Sequence, residues 1–309
     1  MPSKYSTKPA NCNGCPWQDV SDGYASPTGP SSAKLAIVAE SAGENEAVQG
    51  VALVGWTGQQ VTNFLKNHGV RREEVYCDNV VRCKPPPSGK KKEKLPKDVI
   101  AFCTERHLKP ALQAVKPNSI LALGDYSLRY LTKNKGIGKF RGSLLYTEEF
   151  GKVIPTYHPS FLVKGESAQI FWPFVDFDFA KAIEESQTST YTSPEEDYNV
   201  APTLKDVFKS IGAIRKAKRC SIDIETSGGS WWNTAPLTIG MCWEWETERY
   251  KAISIPFYGY RGKEVWEADE WPYVIKSIDA VLSDPEIEKV MQNCLYDVQV
   301  LESVGFVVR

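Results

Sequence analysis

The sequence predicts an α/β protein of two domains, the first a three-layer α/β/α unit around a central, mostly parallel sheet. Three observations carry this. Across residues 33–185 short apolar runs alternate with amphipathic stretches, and strand–helix alternation of this kind builds a parallel sheet covered on both faces. Residues 186–203, SQTSTYTSPEEDYNVAPT, are polar and turn-rich without periodicity, which predicts a linker. A second α/β pattern runs over 204–309, and a chain of 309 residues is long enough to bury two cores.

Each element follows from its pattern. KLAIVAE reads as the first strand, and TGQQVTNFLKNHGV as an amphipathic helix with Val61, Phe64 and Leu65 on its apolar face. EVYCDNVVRC is a second strand, DVIAFCTERHLKPALQAV has helical spacing, SILALGD is a third strand and KVIPTYHP a fourth. In parallel sheets ligands bind outside the carboxyl ends of the strands. Four suggestive places fall there: the loop after KLAIVAE, Asn79, Gly124 and His158. The second domain reads as a helix over LKDVFKSIGAIRKA, strands at RCSIDIET, LTIGMCWEWE and YKAISIPF, a helix over WPYVIKSIDAVLSD, and a strand–helix pair in KVMQNCLYDVQVLESVGF.

With 42% apolar and 24% charged residues, the composition is that of an ordinary globular protein. No apolar run is long enough to cross a membrane and MPSKYSTKPANC is no signal peptide, so a cytoplasmic setting is expected. Eight cysteines in a chain this long point to metal-bound or buried thiols in a reducing compartment. Cys77, Cys220, Cys242 and Cys294 read as buried small hydrophobes. A net charge of −1 gives no global sign of a nucleic-acid partner, yet the run from Arg82 to Lys97 holds seven basic residues against Glu93 alone. Arg82, Lys84, Lys90, Lys91 and Lys92 are therefore candidate phosphate contacts. Arg141 and Lys164 are further candidates.

Cys12 and Cys15 form a close C-x-x-C pair, with Cys83 and Cys103 far downstream. Such an all-thiolate set suits zinc or an iron–sulfur cluster, though a zinc ribbon would need a second close pair. Asn79 at a strand end offers both a donor and an acceptor, as reading the edge of an extruded base requires. His158, one of three histidines, stands in HPS at another strand end; His68 and His107 lie on helices and read as surface or half-buried bystanders. In the second domain Asp223 and Glu225 sit two apart on one strand and so share a face. Like carboxylates on one face suit a two-magnesium site. Asn293 and Asp297 lie one helical turn apart in QNCLYDVQVL.

Taken in order, the C-x-x-C pair, AESAGENEA, GVALVGWTGQQ, Asn79, Cys83, Cys103 and TYHPSFLV resemble the iron–sulfur (family 4) uracil-DNA glycosylases over about residues 9–185. The resemblance implies a 4Fe–4S cluster on Cys12, Cys15, Cys83 and Cys103. It places Glu40 to orient or activate water, with Ser41, Gly43 and Leu53 around the base. It sets Asn79 on the Watson–Crick edge of uracil and His158 to donate to uracil O2. Ser160 fits the family. Ala39 stands for the family's first glycine, Ala42 for its proline and Leu53 for the aromatic that stacks on uracil. The implied reaction is hydrolysis of the N-glycosidic bond of deoxyuridine in single- or double-stranded DNA. The alternative is a weakened glycosylase fold that binds DNA without cutting it.

From about residue 203 the chain resembles the 3′–5′ exonuclease domain of family A DNA polymerases, an RNase H-like fold. D-I-E-T over Asp223–Thr226 matches its first motif and N-x-x-Y-D over Asn293–Asp297 its second. The implied cofactor is Mg2+ on Asp223, Glu225 and Asp297. The match stops at Arg309 before a third motif, so the domain reads as partial and nuclease activity of its own is not expected. A glycosylase-like domain ahead of a replicative polymerase, with other replication proteins as partners, would suit a virus, its setting then the host cytoplasm.

Overall fold

The computed structural model describes residues 4–87, 95–163, 166–193, 195–246, 249–259 and 265–309. The chain divides into two compact units, Met1–Tyr191 and Thr192–Arg309.

The first unit contains β1 (Leu35–Ser41), α1 (Glu44–Gln49), α2 (Trp56–Asn67), β2 (Tyr76–Val81), α3 (Lys97–Cys103), α4 (Lys109–Val115), β3 (Ser119–Leu123), α5 (Gly124–Thr132), α6 (Ile137–Phe140), β4 (Leu145–Thr147), β5 (Gly151–Thr156), α7 (Glu166–Gln169) and α8 (Trp172–Glu185). Its sheet has the order β2-β1-β3-β5-β4. β1, β2, β3 and β5 pair in parallel, and β4 pairs antiparallel with β5 at the edge. β1 and β3 are apolar for most of their length because both faces are covered. Ala36 and Val38 of β1 enter one core with Val99, Leu108 and Leu112. Leu35, Ile37 and Ala39 enter the other, with Val61, Phe64 and Leu65 of α2 and Val175 and Phe179 of α8. Two-residue alternation across the pleat produces this three-layer arrangement. The sequence order reverses between β1 and β3, and at such a switch point a crevice opens beyond the strand ends.

One expected helix is interrupted. DVIAFCTERHLKPALQAV forms α3, then a π-helical turn at Thr104–Leu108, then α4. Pro110 near the start of α4 has no N–H to give the preceding turn, and the wider π turn accommodates that gap.

The second unit contains β6 (Glu195–Asn199), α9 (Leu204–Ala217), β7 (Arg219–Thr226), β8 (Pro236–Glu246), β9 (Arg249–Pro256), α10 (Trp271–Leu282), β10 (Glu288–Val290) and α11 (Cys294–Ser303). Its sheet has the order β10-β7-β8-β9-β6, with β7, β8 and β9 antiparallel and β10 parallel to β7. That order and those directions agree with the RNase H-like class. On β7, Cys220, Ile222 and Ile224 face the core while Ser221, Asp223 and Glu225 face out.

Two expectations need correction here. Glu195–Asn199 lies inside the stretch read as a linker, yet it pairs in parallel with β9. An edge strand joins a sheet through its backbone, so EEDYN shows no apolar signal. Cys294 is exposed at the start of α11 and Cys242 is half-buried, whereas Cys77 and Cys220 are buried as expected.

Candidate functional site

Beyond the carboxyl ends of β1, β2 and β5 lies a cavity of about 640 Å3 that Glu40, Ser41, Gly43, Leu53, Asn79 and His158 all line. Lys84, Tyr126 and Ser160 border it too.

Asn79 stands opposite Ala39 in the β1–β2 pairing and is only 1% exposed. Its backbone N–H donates to Asp78 Oδ1 at 2.8 Å. Its side chain is different: among the described residues neither Nδ2 nor Oδ1 has a hydrogen-bond partner. Leaving a buried polar group unsatisfied costs about 1–3 kcal/mol. A donor and an acceptor, buried side by side on a cavity wall, form a site that a ligand with the complementary pair completes.

Glu40 and His158 meet around Gly124. Gly124 opens α5 with φ 85°, and a Cβ there would stand 2.5 Å from Glu40 Oε1 and 3.2 Å from His158 Cβ. The glycine thus lets the ends of β1, β3 and β5 close on one another. His158 caps a short 3-10 turn, Pro159–Phe161, with its Nδ1 2.8 Å from Ser160 Oγ and 3.3 Å from Ser160 N. A backbone N–H can only donate, so Nδ1 accepts and the neutral ring carries its proton on Nε2.

The two loops of the cavity are joined by a residue that sequence reasoning missed. Glu46 is buried at 7% exposure; its carboxylate accepts from Gly43 N–H at 3.1 Å, Val54 N–H at 3.1 Å and Gly55 N–H at 2.8 Å. Gly43 and Gly55 precede α1 and α2, so one carboxylate serves the positive ends of two helices. Its signal in the sequence is a glycine followed three residues later by glutamate ahead of a helix. Leu53 adopts φ 55°, and at Gly58 a Cβ would fall 1.7 Å from the Leu53 carbonyl oxygen. Glu46→Ala should lower the unfolding free energy of this unit by about 1.5–3 kcal/mol for each hydrogen bond removed. Urea titration of the variant checks this, and an unchanged midpoint would contradict it.

Cys12, Cys83 and Cys103 are buried and Cys15 is half-buried. They lie together: burial first, then Cys83 and Cys15, pushes Cys12 up to about 11, and burial with Cys83 among its neighbours raises Cys103 to about 12. N–H groups of Trp17 and Arg82 each stand 3.4 Å from Sγ of Cys15 and Cys103. Among the described residues no three His, Cys, Asp or Glu side chains converge as ligands of one ion. A four-iron cluster puts each thiolate on a separate iron, so its ligands stand farther apart than those of a single ion. Four cysteines gathered in one place, the thiols of Cys12, Cys83 and Cys103 raised by burial and N–H donors on the sulfurs of Cys15 and Cys103, fit such a cluster, whose charge would hold them as thiolates. His107 is buried, not a surface residue, with Nε2 3.4 Å from Cys12 Sγ. Burial, then the Arg82 and Arg106 charges, pushes it down to about 4.

The basic candidates need correction. Arg82 is 6% exposed and faces inward; its guanidinium donates to Asp78 Oδ1 at 2.9 Å and Oδ2 at 2.6 Å, and to Tyr24 OH at 2.8 Å. Such a buried pair is part of the core and out of reach of a phosphate. Arg141 is likewise spent on the buried Asp178, which also accepts from Thr156 Oγ1 at 2.7 Å. Lys84 borders the cavity with its ammonium 2.8 Å from Glu44 and 3.4 Å from Asp22. Lys90, Lys91, Lys92 and Lys164 lie outside the described residues.

In the second unit Asp297 is 6% exposed, its carboxyl raised first by burial and then by the Asp223 charge. Asp223 and Asp297 are therefore neighbours. Glu225 is exposed on the same face of β7 as Asp223, and the three do not converge as ligands of one ion.

The model of the uracil DNA glycosylase superfamily matches residues 26–179. The type-4 uracil-DNA glycosylase of Thermotoga maritima is 31% identical over 161 residues, covering 52% of this chain and 81% of that protein. The type-4 enzyme of Archaeoglobus fulgidus is 30% identical over 158 residues, covering 48% of this chain and 77% of that protein. A DNA polymerase of Bacillus phage SP01 is 25% identical over 203 residues, covering 64% of this chain but 21% of the polymerase. The chain belongs to the uracil DNA glycosylase superfamily. Among the described residues, no helix is long and apolar enough to cross a membrane.

Proposed function

We propose that the first unit hydrolyses the N-glycosidic bond of deoxyuridine in DNA, releasing uracil and leaving an abasic site. The unpartnered amide of Asn79 in the wall of the cavity carries this reading. Uracil presents a carbonyl oxygen beside an N–H, the complement of that amide. Glu40 holds a water at C1′ of the extruded nucleotide, and His158 donates from Nε2 to O2 of the base. As the bond to C1′ breaks, its electron pair leaves with the base, and the His158 hydrogen bond stabilises the charge on O2. The water oxygen bonds to C1′, and its proton passes to Glu40. Ser160 holds the histidine tautomer that this donation needs.

In this reading Cys12, Cys15, Cys83 and Cys103 hold a 4Fe–4S cluster. Its contribution is structural, tying the N-terminal arm to the chain after β2 and to α3. Anaerobically purified protein should carry about four irons and four sulfides per chain. Cys83→Ser should lose iron and the visible absorbance and melt at lower temperature. Iron-free protein after reconstitution would sink the assignment.

The second unit reads as a 3′–5′ exonuclease-like domain in which Mg2+ would sit against Asp223 and Asp297, with Glu225 on the same face of β7 as Asp223. The burial of Asp297 beside Asp223 favours this, because a cation would offset their repulsion. The resemblance to the phage polymerase supports placing the chain among proteins of DNA replication, with DNA as its partner. Free-base analysis tests the main reading: in EDTA, uracil-containing DNA should yield uracil by chromatography. Intact DNA with binding retained would make the chain a non-cutting DNA-binding module.

A further inference from the structure

Leu53 takes the place of an aromatic residue on the cavity wall, and the structure shows what that leucine does instead. It is 6% exposed and packs in the core with Val61, Phe64 and Leu65, its backbone turned to φ 55°. An aliphatic side chain held by the core offers little surface to a base. Three residues on, Trp56 is 39% exposed and lines the same cavity as Asn79 and His158. It is the first residue of α2, where side chains lean back toward the helix start and so toward the cavity. Its backbone is anchored, since the preceding Gly55 N–H is held by buried Glu46 at 2.8 Å. Tyr126, which also lines the cavity, has its hydroxyl engaged by Leu95 N–H at 3.1 Å and its ring packed against the core.

We propose that Trp56 is the base-stacking residue of this protein, its indole covering the face of the extruded pyrimidine that Leu53 leaves bare. This rests on the reading of the cavity as a uracil site. Every base has a π-face, so stacking supplies affinity while Asn79 supplies the choice of base. A stacked base is worth about 1–3 kcal/mol, or roughly 5- to 140-fold in affinity.

The test measures equilibrium affinity in the His158→Ala background, which keeps the substrate intact. Three oligonucleotides are compared, carrying one uracil, one thymine or one tetrahydrofuran abasic analogue. Trp56→Ala should weaken uracil-DNA binding roughly 5- to 140-fold and leave the abasic analogue unchanged. Trp56→Phe should retain most of the affinity. Trp56→Leu, which keeps apolar bulk without a ring, should behave like alanine. Equal losses on uracil and abasic DNA would overturn the proposal by placing Trp56 against flanking nucleotides, as would unchanged binding in Trp56→Ala. If the parent protein itself fails to prefer uracil over thymine, the uracil reading falls, and this proposal with it.

Discussion

Replacing His158 by alanine should lower the rate of uracil release by about 100- to 1,000-fold, the usual cost of removing one donor to a developing oxyanion. DNA affinity should change little, because the hydrogen bond strengthens only as charge builds on the leaving base. The geometry makes the prediction specific. Nδ1 of His158 is committed to Ser160 N–H and Oγ, so the ring proton sits on Nε2. Single-turnover kinetics on a uracil-containing oligonucleotide measure the effect. Release at the parent rate would remove His158 from the chemistry.

Arg82→Ala should destabilise the first unit by about 3–5 kcal/mol, because it strands a buried charge. Asp78 has 0% side-chain exposure and takes two hydrogen bonds from the Arg82 guanidinium. The same arginine reaches Tyr24 OH and the His107 carbonyl, and its backbone N–H faces Cys103 Sγ. Removing the side chain should therefore loosen the cysteine region as well as β2. Denaturant unfolding reads the fall in stability. The salt dependence of DNA binding separates the two roles, since deleting a cation that neutralises a phosphate flattens its slope. A flatter slope with unchanged stability would return Arg82 to the DNA surface.

Why Arg82 misleads in sequence, while Asn79 lies on the cavity wall its strand-end position marks, is a matter of what each packs against. The strands of the first sheet are buried on both faces, so KLAIVAE and SILALGD are apolar for most of their length and legible locally. Polar residues at the ends of such strands stand out, and Glu40, Asn79 and His158 duly line one cavity. Arg82 sits in a basic run and shares its composition; Asp78 is only four residues upstream on β2, but Tyr24, which completes the buried site, comes from far back in the chain. The burial of His107 beside Cys12 depends on the π turn before Pro110, which helical periodicity does not register. Glu46 is legible as a helix-start residue; its grip on Gly55 appears only when the loops meet. The edge strand Glu195–Asn199 carries no apolar code because backbone pairing alone places it. Trp56 lies three residues beyond Leu53, the position that the motif marks for an aromatic, so the motif does not point to it.

The most direct measurement maps strand scission. The protein, in EDTA, is incubated with end-labelled single-stranded DNA holding one uracil among thymines and cytosines, then treated with hot alkali. EDTA silences metal-dependent nuclease chemistry in the second unit, so breaks report base loss alone. A single alkali-dependent break at the uracil is the predicted result. No break by protein that still binds the DNA, or breaks at every pyrimidine, would contradict the assignment of this cavity to uracil excision.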